Sequence, residues 1–316
     1  MKVNTLPFQK ISKESVDQAG GKGANLGELT KADIPVPPGY VVTAEAFQKY
    51  LEITDLNVEL DASLDRLGKT INDISSVERE SRRLRALIEK KPIPAEIKKE
   101  IDQSFAKLKT KFVAVRSSAT AEDSKVASWA GELDTFLFVT KPDVAAFVRK
   151  CWSSLYTPRA LFYRFEKKLH QQMIRVAVVV QKMVDSKVSG IAFTTHPVTK
   201  DPNQMIIEAG WGLGEAIVSG QITPDAYVID KQDETIMDIN VNSQEMMIVP
   251  VGPKGTKKVT VPVALREKQK LTGPKIMELV KILRKVEKHY GSPQDIEWAY
   301  DGKKFYIVQT RPITTL

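Results

Sequence analysis

Lys22 lies among glycines at positions 20, 21, 23 and 27, in Gly20-Gly-Lys-Gly-Ala-Asn-Leu-Gly-Glu-Leu29. Glycines let a backbone approach a ligand closely, and a lysine ammonium is a compact charge suited to a polyphosphate. No Gly-Lys-Ser/Thr ending follows, so this is not a Walker A loop. A glycine turn before a helix, with an incidental lysine, is the plain alternative. Arg116 opens a second stretch, Val115-Arg-Ser-Ser-Ala-Thr-Ala-Glu-Asp123. The run 112–115 is apolar and β-prone, which predicts a strand ending at the arginine, and a second strand is expected to end at Phe138. In the polar loop between them, Ser117, Ser118 and Thr120, the backbone amides and Arg116 can wrap phosphates. A surface turn that begins with an arginine is the alternative there.

The last chemical cluster is Asp295-Ile-Glu-Trp298 with Val308-Gln-Thr-Arg-Pro312. Residues i and i+2 of a strand share a face, so Gln309 and Arg311 project together. Whether Glu297 joins them depends on the connection around Asp301 and Gly302. A two-residue turn puts position 300 opposite 303 and sends Glu297 to the other face. An odd-numbered loop gathers Glu297, Gln309 and Arg311 on one face. Carboxylate and amide oxygens are hard donors suited to Mg²⁺, and an arginine suits a phosphate. An ordinary hairpin of mixed charge is the alternative reading.

The remaining elements are those that must hold these groups. Ile34-Pro-Val-Pro-Pro-Gly-Tyr-Val-Val-Thr43 reads as an extended edge segment, because its prolines forbid a helix. Thr43 is placed to cap a helix to about residue 53. Residues 55–109 read as charge-rich helices broken at Lys91-Pro-Ile-Pro94. Residues 142–168 read as a helix, with Val144, Phe147, Val148 and Cys151 at helical spacing. Ile174-Arg-Val-Ala-Val-Val-Val180 is a strand apolar on both faces. Strands follow at 189–197 and 205–208. The glycines of Gly210-Trp-Gly-Leu-Gly-Glu-Ala216 make a strand-to-helix turn, not a dinucleotide fingerprint. Short strand-like runs fill 224–266, and a helix runs from Thr272 to about His289. His196, before a proline at a strand end, reads as structural. His170 and His289 lie in charged helices.

Of the residues, 42% are hydrophobic and 27% charged, ordinary for a globular protein of about two domains. The net charge of +8 admits nucleic acid, but the lysines are scattered over helix faces and read as a solvated surface. The single cysteine, Cys151, excludes an internal disulfide and fits a reducing compartment. With no apolar N-terminal run and no long apolar stretch, a cytoplasmic location and no membrane partner are expected.

The motifs at 20–29, 115–123 and 295–312, together with Val180-Gln-Lys-Met-Val184 and Glu208-Ala-Gly-Trp-Gly-Leu-Gly-Glu-Ala216, occur in order along the chain. Together they resemble the nucleotide-binding domain shared by phosphoenolpyruvate synthases, pyruvate phosphate dikinases and rifampin phosphotransferases. One departure is Glu132-Leu133, where many members carry a polar pair. The resemblance implies an α+β, ATP-grasp-like fold of two lobes clasping a nucleotide, here 1–180 and 181–316. It implies ATP and Mg²⁺ as cofactors. Lys22, Arg116 and Arg311 would neutralise phosphates as the catalytic cations, and Glu297 and Gln309 would hold the metal. Gly131 and Thr135 would contribute to the nucleotide site, and Gln181, Lys182 and Met183 would present backbone groups to adenine. The chemistry implied is β-phosphoryl transfer from ATP to a histidine on a separate domain, with release of AMP and phosphate. The histidine and acceptor domains are expected outside these residues or on another chain. A rifampin phosphotransferase-like module, and a non-catalytic nucleotide-binding or regulatory protein, are the alternatives.

Overall fold

The structure, a computed structural model, describes residues 3–120, 133–169, 174–252 and 255–313. Gly131, its neighbour Glu132 and His170 lie outside the described residues. Contacts divide the chain into two compact units, Met1–Glu28 with Pro38–Met183 and Leu29–Pro37 with Val184–Leu316. Helices and antiparallel sheets are present in each, so the α+β class expected from the sequence is what the chain adopts.

In the first unit, β1 (Thr5–Pro7) is followed by α1 (Val16–Lys31), which belongs to this unit as far as Glu28, and by β2 (Gly39–Val42). Helices α2 (Ala44–Ile53), α3 (Asn57–Gly68), α4 (Ile74–Lys90) and α5 (Ala95–Lys107) come next. They are followed by β3 (Val113–Ala119), β4 (Thr135–Val139), α6 (Val144–Ser153), α7 (Pro158–Glu166) and β5 (Val176–Lys182). The sheet order is β1-β2-β5-β3-β4, antiparallel throughout. Thr43 caps α2 as its position predicts, its hydroxyl accepting from Ala46 N at 3.2 Å.

Several expectations are corrected here. β2 is not an edge: the prolines precede it, and it lies fully buried between β1 and β5. The helix expected over 142–168 is two, because the chain turns at Ser154–Tyr156 and restarts at Pro158 under a Thr157 cap that accepts from Ala160 N at 3.2 Å. The core of this unit gathers helix side chains on one face of the sheet, with Phe47 stacked and Tyr50 tilted against the buried Trp152 at 5.4 and 4.9 Å.

The second unit runs β6 (Val188–Phe193), β7 (Gln204–Trp211), α8 (Glu215–Val218), β8 (Asp225–Asp230), β9 (Thr235–Asn240), β10 (Met246–Pro250) and β11 (Thr256–Thr260). It ends with α9 (Val263–Arg266), α10 (Gly273–Tyr290), β12 (Gln294–Tyr300) and β13 (Phe305–Pro312). Six strands form one antiparallel sheet in the order β13-β12-β6-β7-β8-β9, and β10 and β11 make a separate hairpin. Met205, Ile207, Tyr227, Ile229, Ile296, Trp298 and Ile307 cover one face of the sheet and share a core with Ile276, Leu279, Leu283 and Val286 of α10. Alternation along β7 and β12 leaves the other face half-buried and more polar. The excursion through β10 and β11 is tied back by Lys270, whose ammonium bonds Asp225 at 2.8 Å with both side chains fully buried.

Candidate functional site

The residues singled out in the sequence fall into two groups, one in each unit. In the first unit, α1 is broken at Gly20, whose φ of 67° and ψ of 173° lie outside the helical region. A Cβ at this position would fall 2.2 Å from the carbonyl oxygen of Ser118, so both the backbone angle and the close approach require glycine. The helix resumes through Lys22. Ser118 Oγ donates to Ala19 O at 2.9 Å and accepts from Gly23 N at 3.2 Å.

β3 extends beyond Arg116 to Ala119, which corrects the expected start of the loop. Ser117 and Ser118 are therefore strand residues, almost fully buried, and not loop donors. The Ser117 hydroxyl lies 3.2 Å from Cys151 O and 3.0 Å from Ser154 Oγ. Burial pushes the Cys151 thiol up to about 12, opposed by the Ser117 hydroxyl and the positive charge of Lys22. Lys22 thus lies within electrostatic range of the helix behind β3.

Arg116 is only 8% exposed, and its Nη1 donates to Gln181 Oε1 at 3.4 Å. Gln181 is 3% exposed, and its Nε2 has no hydrogen-bond partner among the described residues. A buried amide donor in that state costs about 1–3 kcal/mol until an acceptor reaches it. Beyond it, Lys182 N donates to Pro38 O at 2.8 Å and Met183 N to Phe112 O at 3.1 Å, so both amides are already committed within the protein. Thr135 pairs with Arg116 across β3 and β4 and is exposed. The carbonyl of the preceding Asp134 accepts from Ser117 N at 3.1 Å. Burial raises the pKa of the Asp134 carboxyl, with the nearby Arg85 and Arg159 charges opposing.

In the second unit, Glu297 stands directly opposite Gln309, and Asp295 opposite Arg311. All four are half-buried and share the sheet face away from α10. The route to this arrangement differs from the one expected. The connection is even, with Tyr300 opposite Phe305 and Trp298 opposite Ile307. A β-bulge then places Val308 as the extra residue before Glu297 meets Gln309, and it is the bulge that restores the shared face.

The alternation of β12 marks Asp295 as a neighbour of Glu297, but its partner emerges only in the fold. Arg311 Nε and Nη2 reach Asp295 Oδ2 at 2.8 and 2.7 Å. Glu208 opens one of the sequence motifs but was not singled out as a site residue. It pairs with Ile191, which pairs with Glu297, so it lies in the same row and on the same face. Burial, and secondarily the charge of Asp295, raises its pKa. Its signal in the sequence was a carboxylate closing the apolar run Met205-Ile-Ile-Glu208. Among the described residues no three His, Cys, Asp or Glu side chains gather as a metal cage. A carboxylate beside an amide oxygen still suits Mg²⁺, which usually takes one or two protein carboxylates and fills its shell with phosphate oxygens and water.

The chain is thus an α+β protein with Lys22 and Arg116 in one unit and a paired carboxylate and amide on a sheet face in the other. Residues 16–316 match the family model for the pyruvate phosphate dikinase AMP/ATP-binding domain, and the chain belongs to that family. It is 43% identical to a probable phosphoenolpyruvate synthase of Methanocaldococcus jannaschii over 98% of its length, covering 26% of that protein. It is 42% identical to the phosphoenolpyruvate synthase of Pyrococcus furiosus, with 98% of this chain and 43% of that one covered. It is also similar to the rifampicin phosphotransferase of Bacillus subtilis, at 39% identity over 98% of this chain and 36% of the relative. The chain thus spans less than half the length of these curated relatives.

Proposed function

We propose that this chain is the Mg·ATP-binding module of a phosphoenolpyruvate synthase-like phosphotransferase. The observation that carries the reading is the rung Glu297–Gln309, flanked by Asp295 and Arg311, on the half-buried face of the six-stranded sheet. Those two oxygens fit Mg²⁺, with the triphosphate completing its shell. Held by Glu297 and Gln309, such a metal would supply positive charge to offset that of the phosphates. Arg311, already oriented by Asp295, presents its guanidinium to a phosphate. In the first unit, Lys22 and Arg116 take phosphate charge. The Gln181 amide, beside Arg116 and with no acceptor for Nε2 among the described residues, turns that donor to the nucleotide. Thr135, next to Arg116 on the exposed end of β4, contributes a hydroxyl. Lys182 and Met183 contribute carbonyls to the adenine side, since their amides are used. Gly131 keeps the role implied by the resemblance.

Such a module positions ATP so that its β-phosphoryl group passes to a histidine carried by a separate domain, releasing AMP and phosphate. The rest of the longer relatives is where that domain and the acceptor site belong. A rifampicin phosphotransferase matches the same share of this chain as the phosphoenolpyruvate synthases do, so the acceptor is chosen outside these residues. Calorimetric titration with ATP in the presence and absence of Mg²⁺ tests the proposal. Micromolar-range binding that requires the metal is expected; no heat and no thermal shift at millimolar ATP would sink it.

A further inference from the structure

We infer that Ser118 is a positioning residue that sets Lys22 against Arg116. This rests on the reading that both cations serve ATP phosphates. The sequence offers Ser118 as a phosphate donor in a polar loop, but the structure uses it otherwise. Its side chain is fully buried in β3, two residues past Arg116 and therefore on the same face of the sheet. The hydroxyl donates to Ala19 O, the last carbonyl before the break in α1, and accepts from Gly23 N, just after Lys22. One hydroxyl thus holds the chain on both sides of the Gly20-Gly-Lys segment.

The packing around it is equally close. The Gly20 Cα passes near enough to the Ser118 carbonyl that a methyl group would overlap it. A Cβ on Gly23 would lie 3.0 Å from Val41 Cγ2 and 3.6 Å from Val179 Cγ2. Val179 stands opposite Arg116 on β5. Position 22 is therefore fixed over the face that carries Arg116, with Ser118 as the polar link between helix and strand. The one proton of that hydroxyl goes to Ala19 O, so none is left to donate to a phosphate, and the group is suited to placing charges instead.

The test is a double-mutant cycle on ATP affinity, read by calorimetry with Mg²⁺ well below the unfolding temperature, using the wild type, Lys22→Ala, Ser118→Ala and the double variant. Ser118→Ala is expected to weaken ATP about 10-fold in the wild-type background and less than about 2-fold once Lys22 is gone, because its effect is routed through that ammonium. An equal factor in both backgrounds would overturn the inference, since a direct phosphate contact or a general loosening of the fold acts whether or not Lys22 is present. So would an unchanged affinity for Ser118→Ala. If Lys22→Ala itself leaves ATP binding intact, the role proposed for Lys22 fails and this inference falls with it, an outcome distinct from additivity. Should Ser118→Ala not fold, Ser118→Cys, which keeps a weaker donor and acceptor, goes through the same cycle under the same criteria.

Discussion

At the scale of single residues, the half-buried face of the six-stranded sheet concentrates negative charge that a metal would offset. Glu297 lies beside Gln309, Asp295 is paired with Arg311, and Glu208 sits two strands further along the same row, beyond Ile191. Removing the Glu297 carboxylate would delete the proposed hard ligand, while Asp295 still orients Arg311. Glu297→Ala should therefore weaken Mg·ATP at least about 10-fold while metal-free ATP loses far less, since one metal ligand is worth more than the small change in phosphate repulsion. Titrations with and without Mg²⁺ separate the two, and equal losses would contradict the metal assignment. Glu208 gives a pH prediction. Its folded pKa is raised, chiefly by burial, so between its ordinary value near 4.5 and that raised value the native state binds the extra proton. Stability then falls as pH rises through this window and recovers as pH falls towards 4.5. Glu208→Gln should raise the unfolding temperature at pH 7, and the gain should vanish below pH 4.5, where the wild-type carboxyl is protonated in both states. Thermal melts across that range would show a pH-independent difference if the burial argument is wrong.

At the scale of elements, what sequence could and could not reveal follows from where the determining contacts lie. β5, α2 under Thr43 and α10 were legible because their cues are local: an apolar run, a capping hydroxyl and a 3.6-residue stripe. The extent of β3 was not, because Ser117 and Ser118 look like loop residues until Cys151, Ser154, Ala19 and Gly23 supply their partners. The shared face of Glu297 and Gln309 rests on a feature that the sequence does not mark. An even connection with a bulge gives the same outcome as an odd loop, and Val308 carries no compositional mark of bulging. What holds β13 in register beyond the bulge is a buried polar chain. Thr310 Oγ1 donates to Gln294 Oε1 at 2.9 Å, and Gln294 N donates to Thr194 Oγ1 at 2.9 Å, with all three side chains at most 2% exposed. Thr310 separates Gln309 from Arg311, so this chain anchors both. Thr310→Val should cost about 1–3 kcal/mol by leaving the Gln294 oxygen without its donor, and Thr310→Ser should cost less. Urea unfolding measures both, and equal costs would assign the loss to packing.

At the scale of the whole molecule, binding ATP and accepting its phosphoryl group are separable tasks. Residues 16–316 match an AMP/ATP-binding domain, while the relatives continue well beyond the matched part. An acceptor histidine must bring an unprotonated ring nitrogen to roughly 3–3.5 Å from the phosphorus, in line with the leaving oxygen. His196 is poorly placed for that. Its Nδ1 accepts from Val198 N and Thr199 N, both at 3.2 Å, which puts the proton of the neutral ring on Nε2. Attack through Nε2 would first require moving that proton to Nδ1, which breaks both bonds holding the 196–199 turn. His289 stands in the last turn of α10, edge-on to Tyr290 at 5.4 Å, on a helix whose apolar stripe is fixed in the core. His170 lies outside the described residues. The 316-residue chain by itself should therefore bind ATP, form AMP and phosphate only slowly, and remain unphosphorylated. Adding a protein that carries a phosphohistidine-type domain should speed AMP release by well over about 10-fold, because the acceptor is then supplied in a mobile form. Incubation with β-labelled ATP, followed by mass spectrometry under conditions that preserve phosphohistidine, decides the matter. Stable label on His170, His196 or His289 would mean that these residues perform a half-reaction unaided, and that the acceptor is built into the ATP-binding part itself.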